Sequence, residues 1–205
     1  MIRTFLAIEL SSELHTALTT LQQKLQRLLT YDSPFKESRS PIQWVNPKSI
    51  HLTLKFLGDI DESKVSSIQQ AIDTIGKGHG PFSVNVQGMG AFPNFQYPRV
   101  LWVGFSGNIE PLQLLAQEVE QALEPLGFAR EERPFTPHLT LARVKGQSRK
   151  VGAVLTAQAL RDLNASVGSL AVTSLALMKS DLTPAGARYT RLGQGELSGT
   201  GIRSS

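Results

Sequence analysis

The chain has 205 residues, 40% hydrophobic and 19% charged, enough for one sizeable core and outside the range of disordered or fibrous chains. It contains no cysteine, which excludes disulfides, thiolate nucleophiles and cysteine-ligated metal centres. With 21 Lys and Arg against 17 Asp and Glu the net charge is +4, a scattered basic bias that favours an anionic partner such as nucleic acid or nucleotide. The apolar start Phe5-Leu6-Ala7-Ile8 is too short for a signal h-region and is followed by Glu9, and no stretch approaches a membrane span, so a soluble cytoplasmic protein is expected.

Residues 5–10 read as a buried strand, and Ser11-Ser12-Glu13 caps a helix with Leu14, Leu18, Leu21, Leu25 and Leu28 on one face. Residues 31–40 break it as a polar loop, after which 43–45 and 50–57 are extended. Asp61-Glu62 opens a second helix carrying Val65, Ile68, Ile72 and Ile75, ended by the glycine-rich run 76–81. Residues 82–86 and 98–105 are strands, and a third helix carries Leu112, Leu115, Val119, Ala122 and Leu126 before Gly127. Residues 134–144 are extended, 150–164 weakly helical and 167–178 strand-rich, and the Gly- and Ser-rich residues 193–205 read as a flexible tail.

This order is one β-α-β-α-β unit written twice, about 1–97 and 98–192, within a single domain over 1–192. The spacing from Phe5 to His51 exceeds that from Leu101 to His138 by nine positions, which the 31–40 loop accounts for. Two copies predict a pseudo-symmetric pair of lobes rather than a solenoid. Because the duplication builds both lobes in one chain, a monomer is expected.

Each copy contains one tetrapeptide, His51-Leu52-Thr53-Leu54 and His138-Leu139-Thr140-Leu141. Strand alternation puts His and Thr on one face and the leucines on the other, so a pseudo-two-fold axis would set the two polar pairs across a groove. Two imidazoles, one giving and one taking a proton, are an acid–base pair near neutral pH. Two threonine hydroxyls can donate to the non-bridging oxygens of a phosphate on the axis. A metal fits poorly, because two imidazoles without a neighbouring strand carboxylate fall short of the three protein ligands usual for catalytic zinc. A lone His-x-Thr usually marks only the polar face of a sheet; the matched pair is what favours catalysis. The residues alone leave open which histidine is acid and which base.

These blocks, with Phe5-Leu6-Ala7-Ile8-Glu9-Leu10, Lys55-Phe56-Leu57-Gly58, Val100-Leu101-Trp102-Val103-Gly104 and the lead Arg133-Pro134-Phe135-Thr136-Pro137, make the chain resemble the two-histidine (2H) phosphoesterases. Within them it is similar to the RNA 2′,3′-cyclic phosphodiesterases, also called 2′-5′ RNA ligases, over about the first 190 residues. The resemblance implies a bilobal α+β fold, with two antiparallel sheets facing a central groove and helices outside. It implies that His51 protonates the leaving 3′ oxygen, that His138 activates water, and that the product is a 2′-phosphate. The same geometry would let a 5′-hydroxyl attack the cyclic phosphate and join RNA ends, such as tRNA halves, through 2′-5′ bonds. No cofactor is implied, and the partner is RNA with a 2′,3′-cyclic phosphate end or a cyclic nucleotide.

Three further residues are candidates for substrate binding. Arg143, although of leucine parity, ends the second strand where it can reach phosphate or base. Lys55 would share the face of His51 and Thr53 and raise the groove's positive potential. Phe5 would stack on a base, against the plainer reading of core packing. Arg130 and Arg133 can attract RNA or simply solvate a turn, and His15 and His79 do not read as catalytic. The alternatives are a phosphodiesterase for 2′-5′ oligonucleotides or other cyclic nucleotides, and a binding module for RNA ends.

Overall fold

The computed structural model describes residues 1–31, 41–159, 166–183 and 186–200. The first strand, β1 (Ile2–Ile8), leads into α1 (Ser12–Tyr31), where the Ser11 hydroxyl accepts the Leu14 N–H as an N-cap. A short strand β2 (Ile42–Trp44) and a 3-10 turn over Pro47–Ser49 precede β3 (Leu52–Ile60) and α2 (Val65–Gly78). Then come β4 (Phe82–Phe92), β5 (Val100–Ser106) and α3 (Glu110–Leu123), the last closed by Gly127 at φ 89°. β6 (Leu139–Val144), α4 (Ser148–Ala159), β7 (Ser166–Val172), β8 (Ser174–Thr183) and β9 (Gly186–Glu196) complete the chain. The loop expected over 31–40 lies outside the described residues apart from Tyr31.

The strands form two antiparallel sheets, ordered β3-β1-β8-β9 and β2-β6-β5-β4-β7, in an α+β architecture. The helices cover outer faces: α2 packs on β8 and β9 and α3 on β3, whereas α1 packs on β7 and α4 adjoins the apolar face of β5 and β6. Leucines and isoleucines of α1, α2 and α3 share one buried cluster with inward residues of both sheets, including Leu6, Leu52, Leu139 and Leu141. At about 25 cal/mol per Å² of apolar surface removed from water, that cluster is the main source of stability. The opposite, helix-free faces line the groove.

The lobes are not the two halves of the sequence. β4, from the first half, pairs with β5, and β8, from the second, pairs with β1, so each sheet draws strands from both copies. The 193–205 tail also needs correction. Residues 193–196 belong to β9, with Gly193 opposite Leu177 and Gly195 opposite Leu175, and the chain continues through a buried Leu197. The N–H groups of Ser198 and Gly199 then donate to the carbonyls of Gly76 and His79 at the end of α2. These glycines allow close approach rather than freedom: a Cβ on Gly195 would stand 2.6 Å from the Ile72 carbonyl oxygen of α2.

Candidate active site

His51 stands immediately before β3, and His138 immediately before β6. In both, Nδ1 meets the carbonyl oxygen two residues earlier: Ser49 at 2.9 Å for His51 and Thr136 at 2.8 Å for His138. A carbonyl only accepts, so Nδ1 carries the proton and Nε2 is left to exchange one with a ligand. Neither Nε2, nor the hydroxyl of Thr53 or Thr140, has a hydrogen-bond partner among the described residues.

Each strand then bulges at the same point of the repeat. Thr53 lies opposite Ala7 while Lys55 lies opposite Leu6, so Leu54 is an extra residue, and Leu141 likewise intervenes between Thr140 opposite Trp102 and Ala142 opposite Leu101. One extra residue reverses the alternation beyond it. Lys55 therefore points into the core. It is 3% exposed and bonded to Glu120 of α3 and to the Ala129 carbonyl, so the expectation that it charges the groove is corrected. By the same reversal Arg143 joins the face of Thr140, where it is exposed and has no ion pair among the described residues, so its leucine parity is corrected too.

Aromatic rings hold the two imidazoles. His51 stacks on Phe5 at 4.6 Å between centroids and meets Tyr189 of β9 edge-on at 4.9 Å. Phe5 is itself 3% exposed and packs among Ala7, Ala176 and Met178, so it supports the imidazole and has no open face for a base. His138 meets Phe92 edge-on at 5.0 Å, with Trp102 tilted at 6.2 Å. Gly90 admits that indole, because a Cβ there would lie 2.0 Å from the Trp102 ring. Burial holds the His51 imidazole below its ordinary pKa, only partly offset by the Ser49 carbonyl and the charge of Glu9.

Sequence reasoning missed Tyr189 and Phe56. Tyr189 lay in a segment not read as a strand. Phe56 sits at the position in β3 that Arg143 occupies in β6; it is 64% exposed on the groove face, and only the Leu54 bulge reveals its direction. Three of the four remaining candidates face a structural partner. Arg130 pairs with Glu124 at 2.6 Å, and His15 bonds the Pro47 carbonyl. His79 Nε2 lies 2.9 Å from a Glu118 carboxylate oxygen without hydrogen-bond geometry, and Arg133 is exposed. Among the described residues no three His, Asp or Glu side chains gather as a metal site, and no helix is long and apolar enough to cross a membrane.

Comparisons with known proteins agree with this construction. The family model described as LigT like Phosphoesterase matches twice, over residues 8–102 and 103–189. An RNA 2′,3′-cyclic phosphodiesterase of Methanothermobacter thermautotrophicus is 35% identical over 190 residues, 92% of this chain and 95% of that one. One of Thermotoga maritima is 32% identical over 201 residues, 98% of each chain. Among solved structures, TT0787 of Thermus thermophilus superposes with a TM-score of 0.74 at 29% identity, covering 97% of this chain and 100% of that one. E. coli LigT complexed with 3′-AMP has the same fold, with a TM-score of 0.74 at 24% identity over 96% of this chain and 98% of that one. Two copies of one family model, laid end to end across the two histidine blocks, make this chain an enzyme of the LigT-like phosphoesterase family.

Proposed function

We propose that the protein is an RNA 2′,3′-cyclic phosphodiesterase that opens the cyclic phosphate to a 2′-phosphate by metal-independent acid–base catalysis. The observation that carries this reading is the matched pair of imidazoles, each fixed through Nδ1 to a backbone carbonyl, each with Nε2 unpartnered among the described residues, and each followed two residues on by a threonine of the strand it precedes. Relatives bearing that activity in their names are 35% and 32% identical over nearly the whole chain.

In the reaction, Nε2 of His138 takes a proton from water as its oxygen attacks phosphorus. The bond from phosphorus to the 3′ oxygen breaks, and protonated His51 supplies the proton that leaves a 3′-hydroxyl. Thr53 and Thr140 donate to the non-bridging oxygens as charge builds on them. The direction of proton flow follows the family resemblance. Burial biases free His51 toward its neutral form, so His51 must regain its proton as the anionic substrate binds. Arg143 contacts the phosphate or a base, and Phe56 offers the open aromatic face on which a nucleobase stacks. With a 5′-hydroxyl attacking phosphorus in place of water, His138 takes its proton, the same bond to the 3′ oxygen breaks, and a 2′-5′ linkage forms.

The test is an RNA oligonucleotide ending in a 2′,3′-cyclic phosphate, incubated with enzyme and EDTA, with the product terminus identified. A 2′-phosphate is expected. A 3′-phosphate would refute the assigned leaving oxygen, and activity appearing only after a divalent ion is restored would refute metal independence. Tight binding without turnover under either condition would make the protein a binding module for RNA ends.

A further inference from the structure

The buried Lys55 has no part in the chemistry above, yet it lies on the strand that carries His51 and Thr53, two positions beyond the threonine. Its side chain is 2% exposed, and its ammonium donates to the Glu120 carboxylate and, at 2.7 Å, to the Ala129 carbonyl. The same Glu120 oxygen accepts the Glu131 backbone N–H at 3.2 Å. One ion pair, buried at its lysine end and partly exposed at Glu120, thus grips a backbone carbonyl and a backbone N–H of the segment 129–131. A flexible surface loop would need no such anchor.

That segment leads into His138. Between Glu131 and His138 the chain contains Pro134 and Pro137, whose rings fix φ at two positions and so narrow the ways in which a displacement at 129–131 can be absorbed before His138. Thr136 between them supplies the carbonyl that holds His138 Nδ1 at 2.8 Å. The path from β3 to the second imidazole is therefore continuous: Lys55, Glu120 and the 129–131 backbone, the stiff proline lead, the Thr136 carbonyl, His138.

We infer that the Lys55–Glu120 pair is a strut that sets His138 in register with His51, making Lys55 a positioning residue for the second half of the site. Stability is a weak explanation for it, since an apolar pair of similar volume is often as stable as a buried ion pair. Placement is the stronger one, since a shift of about 1 Å in a reacting group costs on the order of 100-fold in rate. The inference rests on the two-histidine reading for its kinetic consequence but not for its structural one.

The test is the double variant Lys55→Met/Glu120→Leu in the full chain. Expected are a melting temperature close to the parent's and a kcat for the cyclic-phosphate oligonucleotide lower by about 10- to 100-fold, with KM changed by less than about 3-fold. Nitrogen-15 spectra should show His138 losing its single Nδ1-protonated tautomer while His51 keeps its own. Glu120→Gln, whose amide oxygen still accepts from Lys55 and from the Glu131 N–H, should restore the His138 tautomer and most of the turnover. If the double variant does not fold, Glu120→Gln and Lys55→Met are measured singly, with only Lys55→Met expected to alter His138. An unchanged His138 tautomer in folded variants lacking Lys55 overturns the strut. Altered His138 spectra in a protein whose parent lacks cyclic phosphodiesterase activity would sustain the strut and remove the functional reading instead.

Discussion

The two histidine blocks share one backbone device and differ in what surrounds it. Both rings lean on a carbonyl two residues earlier, and both strands bulge at the leucine after the threonine. Yet His51 is stacked on a buried phenylalanine and flanked by Tyr189, whereas His138 sits edge-on to Phe92 beside an indole. A duplicated backbone thus makes two equivalent imidazole positions, and unduplicated side chains make them unequal. The positions just past the bulges carry the same lesson: Phe56 in one copy is Arg143 in the other, and Lys55 is Ala142.

The hardest test of that inequality is to remove each ring. His51→Ala and His138→Ala should each lower kcat on a cyclic-phosphate oligonucleotide by about 10²- to 10⁴-fold. A substrate whose 3′ bridging oxygen is replaced by sulfur separates the roles, since a thiolate leaves without a proton. It should rescue His51→Ala and leave His138→Ala inactive, and the opposite pattern would exchange acid and base. Next in size, Thr53→Val and Thr140→Val should each cost about 10²-fold in kcat, because each removes one donor to the charge that develops on phosphate. A loss at only one threonine would show that the phosphate lies off the axis.

The smallest expected effect concerns protonation. Burial depresses the His51 pKa, so in the free enzyme the protonated acid is lost as pH rises through a value below that of ordinary imidazole, and the alkaline limb of kcat/KM begins there. Phe5→Leu opens the ring to water and should move that limb, and the NMR titration of His51, to higher pH. No movement would mean that something other than burial sets the value. The linkage to stability has a definite sign. The folded pKa is depressed, so this contribution is present above the unfolded imidazole value and is lost as pH falls through the folded one.

The matched pair of histidine blocks was legible because it is written as identity, one tetrapeptide twice, and the helices because their leucines and isoleucines recur at helical spacing. The bulges left no comparable mark. Strand alternation carried past Leu54 and Leu141 sends Lys55 to the groove and Arg143 to the core, and the extra residue in each strand inverts both. Strand β9 was hidden for a different reason. Its glycines at 193 and 195, read as freedom, are where α2 presses against the sheet, and its Tyr189 could not be placed at His51 before that strand was known. Nor does a repeat in sequence announce which copy's strand completes which sheet.

That exchange of strands bears on how the chain is made. β1 is synthesised well before its neighbour β8, yet it is an interior strand, and its pairing with β8, Leu6 opposite Leu177, waits for residues roughly 170 positions later. Until then one flank of β1 has no partner and the apolar faces of α2 and α3 have only part of a sheet to cover. The nascent chain must therefore carry an open, aggregation-prone edge from the synthesis of β1 until that of β8, and the sheet holding the first histidine is completed only once β8 and β9 have been made.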